Sequence, residues 1–355
     1  MSLKKISEMT GVSVSTVGRI LREPNRRCSS EEIREHVFSA ARKINYVPND
    51  AARRLKTGAS NSNDVKYINI LITRNIQENS DPFYSELLRL IELEVRSSGC
   101  IVSNVWYKEE FSDDKTGKDI ESLVKKLYGS SDVTSNGIII VGKCSTKVLK
   151  ILKTCEKNIV AVNRNSTNYE VVEVSCDGRK VALTAISYLV KCGHKKIGYV
   201  GYCHNESRFK GYQTAHVQFQ LEDDIDYIYD TVPNETNGYN AMEYFMTLKN
   251  PPTGIFCAND ILAIGMLKCL NKHRVKYYNP SVVSSDDIEE AQYTTPMLST
   301  VSMPKAEMVK FALMLLLDRI NGRHKTVTKI EIDTKLIIRE SCRNITEMQE
   351  PEYYI

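Results

Sequence analysis

The chain has 355 residues, with 48 Lys/Arg against 44 Asp/Glu and a formal net charge of +4. That length holds a small module plus a core of roughly 280 residues, more than one hydrophobic centre usually supports, so the core is expected to divide. No apolar run reaches the about 20 residues of a membrane helix, no apolar leader opens the chain, and the ten cysteines contain no Cys-x-x-Cys pair. A membrane protein, a zinc ribbon and a disulfide scaffold are therefore excluded as readings, and a cytoplasmic protein with reduced thiols is expected. The charge is unevenly placed: residues 1–60 carry 12 Lys/Arg and 6 Asp/Glu, a basic end suited to phosphates.

Ile6 and Met9 share one face of a short first helix, Gly11 permits a turn of positive φ, and Ser13 can cap a second helix. Val14, Val17, Ile20 and Leu21 follow helical spacing there, which leaves Ser15, Thr16 and Arg19 outward, residue types that reach base edges in a major groove. A solvated helical hairpin is the plain alternative. Ser30 before Glu31 and Glu32 caps a third helix with Ile33, Val37, Phe38, Ala41 and Ile44 as its buried stripe. Asn49 or Asp50 can then open, and Gly58 close, a helix of about two turns, too short to be stable without a partner.

The order Gly11-Val12-Ser13, Thr16-Val17-x-Arg19, Asn45-Tyr46-x-Pro48-Asn49 and Ala52-Arg53-x-Leu55 resembles the headpiece and hinge of the lactose-repressor family of bacterial regulators. The resemblance implies that Val14, Ser15 and Arg19 read operator bases, with the outward Thr16 expected at the same DNA surface, and that Leu55 is a minor-groove wedge with Lys56 beside it. Gly18 stands where the family usually has Ser, which puts one phosphate contact in doubt and weakens the helix slightly.

A polar linker over 59–65 precedes alternating apolar runs and amphipathic helices. The runs are 68–72, 101–105, 137–141, 159–162, 196–200, 225–229, 254–257 and 281–283; helices are expected at 83–98, 120–127, 148–155, 178–192, 208–220, 238–246 and 262–272. Such alternation means parallel sheets covered on both faces. The family likeness implies the rest: a helix-turn-helix headpiece (1–48), a hinge helix and linker (49–65), a periplasmic-binding-protein-like α/β core of two parallel-sheet lobes that also dimerises (66–342), and a tail (343–355). That tail lacks a tetramerising heptad, so a homodimer is expected.

Ligands of open α/β sheets bind beyond the carboxyl ends of the strands, and five groups fall there. Asp81-Pro82-Phe83-Tyr84 resembles the family's Pro-aromatic-aromatic opening to the first core helix; Asn163 and Arg164 follow the fourth run. Arg208-Phe209-Lys210-Gly211-Tyr212 matches Arg-x-x-Gly-aromatic, whose Arg reaches the cleft. Asn259-Asp260 with Ala263 and Gly265 matches Asn-Asp-x-x-Ala-x-Gly, and Ser285-Asp286-Asp287 sits where Gly-Tyr-Asp-Asp is usual. Singly, such an Asp is most often a helix cap and such an Arg a solvated charge; their common position favours a site. Phe83, Tyr84, Asn163, Arg164, Arg208, Asn259, Asp260 and Asp286 are thus expected to bind an effector. Amides, carboxylates and a guanidinium around an aromatic face suit a neutral carbohydrate. The stretches 75–84 and 136–143 resemble the evolved-β-galactosidase repressor branch, which points to a galactoside; a purine or nucleoside is the alternative. The histidines, His36, His194, His204, His216, His273 and His324, show no metal spacing, and no nucleophile or phosphate-loop motif is present, so neither cofactor, metal nor catalysis is expected. An enzyme with an appended DNA-binding module, or a sugar carrier, explains the core less completely. The expected partners are double-stranded operator DNA, a small-molecule effector and a second copy of the chain, with no membrane.

Overall fold

Ile6, Val17, Ile20, Val37, Ala40 and Ala41 close around one another to seal a small helical core. It is built from α1 (Leu3–Thr10), α2 (Val14–Ile20) and α3 (Glu31–Lys43). The turn between the first two works as its residues dictate: Gly11 takes φ 67°, and the Ser13 hydroxyl accepts from the Thr16 amide at 3.2 Å. Two expectations are corrected. Met9 is 43% exposed and Ile33 41%, because α1 and α3 meet through Ile6, Val37 and the small Ala40 and Ala41, which leaves no room for a wider stripe. The computed structural model describes residues 3–21, 30–43, 65–73, 81–112, 119–129, 135–163, 170–273 and 278–346. Leu55 and Lys56, with the expected hinge helix, and Arg164 lie outside them.

The chain divides into two units, Met1–Asp64 and Val65–Ile355. The second contains two six-stranded sheets. The first sheet runs β11-β5-β4-β3-β1-β2, formed by β1 (Tyr67–Ile72), β2 (Ile101–Tyr107), β3 (Gly137–Val141), β4 (Ile159–Asn163), β5 (Val172–Ser175) and β11 (Lys329–Glu331). Its helices include α4 (Pro82–Ser97), α5 (Ile120–Gly129) and α6 (Thr146–Cys155). The second sheet runs β12-β10-β9-β8-β6-β7, formed by β6 (Ile197–Gly201), β7 (Ile228–Asp230), β8 (Gly254–Cys257), β9 (Ser281–Asp286), β10 (Ser299–Ser302) and β12 (Lys335–Ile337). Its helices are α7 (Gly178–Lys191), α8 (Ser207–Phe219), α9 (Glu235–Thr247) and α10 (Asp260–His273). All pairings are parallel except β10 with β12. The central strands are buried from end to end, as sheets covered on both faces require.

The chain passes between the sheets three times: after β5, between β10 and α11 (Lys305–Ile320), and between β11 and β12. Helix α11 follows strands of the second sheet yet packs on β3, β4, β5 and α4 of the first. The run expected at 225–229 is instead a single 3-10 turn, Ile225–Tyr227, before a strand at Ile228–Asp230. The Asp224 carboxylate accepts from the Asp226 amide at 3.0 Å and turns the backbone before it can pair. Helix α9 starts at Glu235, earlier than its apolar pattern, because the Asn234 side chain accepts from the Asn237 amide at 2.7 Å. Gly238 then faces the Leu262 carbonyl, and Gly265 the Glu235 carbonyl, so closely that a Cβ at either position would overlap the backbone opposite. The two glycines let α9 and α10 pack backbone to backbone. Among the described residues no helix is long and apolar enough to cross a membrane.

Candidate functional site

On the helical unit, Val14, Ser15 and Arg19 are exposed along α2, Thr16 is half-buried, and Val17, Gly18 and Ile20 face inward. Val14 is an apolar side chain left 44% exposed on this face. Ser13 links to Ser15 at 3.0 Å and donates to Thr16 at 2.8 Å, so the first turn presents a hydroxyl cluster, with Arg19 farther along the helix. Hydroxyls, a methyl-bearing surface and one long cation are the groups that read base edges and phosphates.

In the core, the carboxyl ends of β6, β8 and β9 bring Arg208, Asn259 and Asp286 together. Arg208 stands in the first turn of α8 and is only 4% exposed; its Nε donates to Glu206 Oε1 at 3.0 Å, and its Nη1 donates to the Ala258 carbonyl and, at 3.5 Å, to Ser285 Oγ. Glu206 also caps α8 by accepting from the Arg208 amide at 3.3 Å. Burial alone would lower the guanidinium pKa, but Glu206 and Asp286 outweigh it and hold the group well above its ordinary value. Asp286 is 1% exposed and ends β9 at φ 129°, followed by Asp287 at φ 51°. Two successive residues in the left-handed half of the map store strain, a cost concentrated at binding sites.

Lys305 holds that exit in place. Its Nζ donates to the carbonyls of Asp286 at 3.2 Å and Asp287 at 2.9 Å, pairs with Glu86 of α4 at 2.8 Å, and lies 5.5 Å from the Phe83 ring centre. Arg339 binds the Asp287 carboxylate at 2.7 Å. Above this junction opens a crevice of about 560 Å³, with Pro82, Ser85, Glu86 and Arg89 on one side and Asp287 to Glu290 on the other. Phe83 and Tyr84, between lining residues of α4, are buried, with their rings edge to face at 5.3 Å. Asp81 caps α4, accepting from the Phe83 amide at 3.1 Å. Asn163 is the last residue of β4, paired in register with Ser175, away from the Arg208 cluster in sequence and sheet.

Two expected ligands have structural employment. Asn259 caps α10, accepting from the Leu262 amide at 3.3 Å. Asp260 is fully buried, its carboxylate taken up by protein donors: it accepts from Ser284 Oγ at 2.5 Å, Thr300 Oγ1 at 2.6 Å and the Ile288 amide at 2.9 Å. Its carboxylate ties β9, β10 and α10 together. The reading from sequence missed Glu206, Glu86 and Lys305. Glu206 had a signal, an acid two residues before a helical Arg; Lys305 had none, since nothing local marks a lysine after a proline as a bridge between sheets.

Comparison with known proteins agrees with this architecture. Residues 2–49 match the family of bacterial regulatory proteins, lacI family, and residues 186–342 match the periplasmic binding protein-like domain. The HTH-type transcriptional repressor PurR of Haemophilus influenzae is 26% identical over 97% of this chain and 99% of its own length. The HTH-type transcriptional repressor CytR of Escherichia coli is 28% identical over 96% of each. Among solved structures, the lac repressor dimer bound to operator and the anti-inducer ONPF has a TM-score of 0.67 at 18% identity, covering 96% of this chain and 98% of that one. A transcriptional regulator CelR in complex with cellobiose has 0.66 at 21%, covering 96% and 100%. At these identities the structures show the shared fold. The relatives do not single out the branch that the stretches 75–84 and 136–143 suggest.

Two outcomes are expected. Burial pushes the Asp260 carboxyl up to about 6 from 3.8, against the three bonds it accepts, so the folded chain holds this proton more tightly than the unfolded one. The stability it contributes is present at low pH and lost as pH rises through about 6. Asp260→Asn stays neutral, so in paired urea titrations the stability of the wild type relative to the variant should fall between about pH 4 and 6; parallel pH courses would contradict this. Lys305→Met leaves two carbonyls without their donor and should cost about 1–3 kcal/mol in the same assay, where an unchanged midpoint would show the bridge to be idle.

Proposed function

The chain belongs to the lacI family of bacterial regulatory proteins, and from that premise we propose that its ligand is a neutral, hydroxyl-rich small molecule, a sugar or galactoside, bound between the two sheets of the core. The chain is a DNA-binding transcriptional repressor with a ligand-binding core. The observation that carries the choice of ligand is charge balance. Arg208 is outnumbered by Glu206 and Asp286, and Lys305 is matched by Glu86, so the cleft keeps strong donors and acceptors with no surplus positive charge to attract an anion. Arg208 and Asp286 then offer paired donors and acceptors to vicinal hydroxyls.

Both central residues are nearly sealed from water, so the ligand reaches them when the lobes part at the crevice. A ligand that prefers one degree of closure shifts the lobes by its differential affinity alone. In a homodimer, with two helical units reading the halves of a near-palindromic operator, that shift alters the spacing of the paired hinges and hence the DNA-bound population. The function requires binding and no turnover: the buried acids here are paired with cations or hydroxyls, and no chemistry beyond recognition is proposed for them.

A thermal-shift screen over sugars, nucleobases and nucleosides tests the ligand class, since a molecule bound only by the folded chain raises its melting temperature. Stabilisation by nucleosides alone would replace the sugar reading. With a ligand in hand, Asp286→Asn should abolish its effect on operator affinity and leave ligand-free operator binding near wild type. The asparagine keeps the size of the native side chain and one acceptor but lacks the charge and the second acceptor. A full response in this variant would move the site elsewhere. Arg208→Ala is a poorer probe, because it strands the buried Glu206 carboxylate. On the DNA side, Arg19→Ala should cost about 1–3 kcal/mol of operator affinity and relax one base position per half-site; equal loss on unrelated DNA would mark a phosphate contact.

A further inference from the structure

We propose that Glu243, Cys269 and His273 form a binding site for a divalent transition-metal ion of the zinc type. Cys269 and His273 stand one turn apart on α10, and Glu243 faces them from α9; the sulfur, an imidazole nitrogen and a carboxylate oxygen all lie within 4.8 Å of one another. His273 Nε2 is already 3.3 Å from Glu243 Oε1 and 3.1 Å from the Tyr239 hydroxyl, contacts that a metal would replace. Scanning the histidines alone overlooks this set, because only one of its three ligands is a histidine.

The geometry is close to what such an ion needs. Zinc bonds of about 2.0–2.3 Å put ligand atoms roughly 3.3–3.8 Å apart in a tetrahedron. The contraction falls on the two ends that can move, since the His273 and Glu243 side chains are 40% and 48% exposed while Cys269 is buried. The helices themselves are held in register by the backbone contacts at Gly238 and Gly265, so the ligands are presented by a fixed pair of backbones. One thiolate, one imidazole and one carboxylate exclude the hard ions calcium and magnesium and favour zinc among the available metals. On binding, the Cys269 thiol releases its proton to solvent and, with the Glu243 carboxylate, cancels the ion's two charges. Tyr239 or water completes the fourth position. Among the described residues, the opposing charge beside the three ligands is Lys272, whose exposed ammonium lies 5.3 Å from the centre of the Tyr239 ring and can turn into solvent.

Cobalt(II) titrated into the chelator-treated, reduced, full-length protein reads the site directly. One equivalent per chain should give visible bands of tetrahedral intensity with a sulfur-to-cobalt charge-transfer band, and zinc should bleach both. Cys269→Ser should remove the charge-transfer band, and His273→Gln and Glu243→Gln should each weaken cobalt binding at least tenfold. The last two alter exposed side chains and keep the test decisive should the serine variant fail to fold. Absence of the charge-transfer band, its survival in Cys269→Ser, or unchanged affinity in both surface variants would overturn the site.

Discussion

An ammonium group 8% exposed must find acceptors within the protein, and Lys305 finds them on both halves of the core. It stands at the first residue of α11, immediately after the chain has crossed from the second sheet to the first, and reaches back to the carbonyls at the end of β9 while holding Glu86 on α4. The strained backbone at Asp286 and Asp287 persists because these bonds, with Arg339 on the Asp287 carboxylate, over-determine it. The Asp286 carboxylate interacts electrostatically with Arg208. Positioning of the proposed ligand groups thus depends on a contact that itself spans the two sheets.

The two-sheet core was legible because its strands are long apolar runs with helices between them, and long periodic elements leave the strongest trace. β5 and β10 have four residues each and β11 and β12 three, too few for any period to register. Helix α11 is sixteen residues long, but its run Phe311 to Leu317 is apolar on several faces, so periodicity does not orient it. In the helical unit the cap at Ser13 and the turn at Gly11 were legible because each rests on one residue's local chemistry. Met9 and Ile33 were not, since which apolar residues are covered depends on where a neighbouring helix passes.

The cleft shows the same division. Motif spacing led to Arg208 and Asp286, which the fold brings into electrostatic contact across two helices and a sheet. It also led to Asp260, whose three protein donors make it a tie between β9, β10 and α10. An Asp in a binding loop and an Asp in a buried hydroxyl network carry the same letter. Only the positions of Ser284 and Thr300, distant in sequence, separate them.

The crevice above Lys305 is lined by charged and polar groups, among them Glu86, Arg89, Asp287, Glu289 and Glu290. Such walls hold water, and narrowing them returns that water to bulk. If the lobes close as proposed, their equilibrium is linked to water activity: a solute too large to enter the crevice, excluded from its surface, favours the narrower state just as a closing ligand does. On the proposed mechanism, the set point for the ligand would then move with the osmolarity of the surrounding solution.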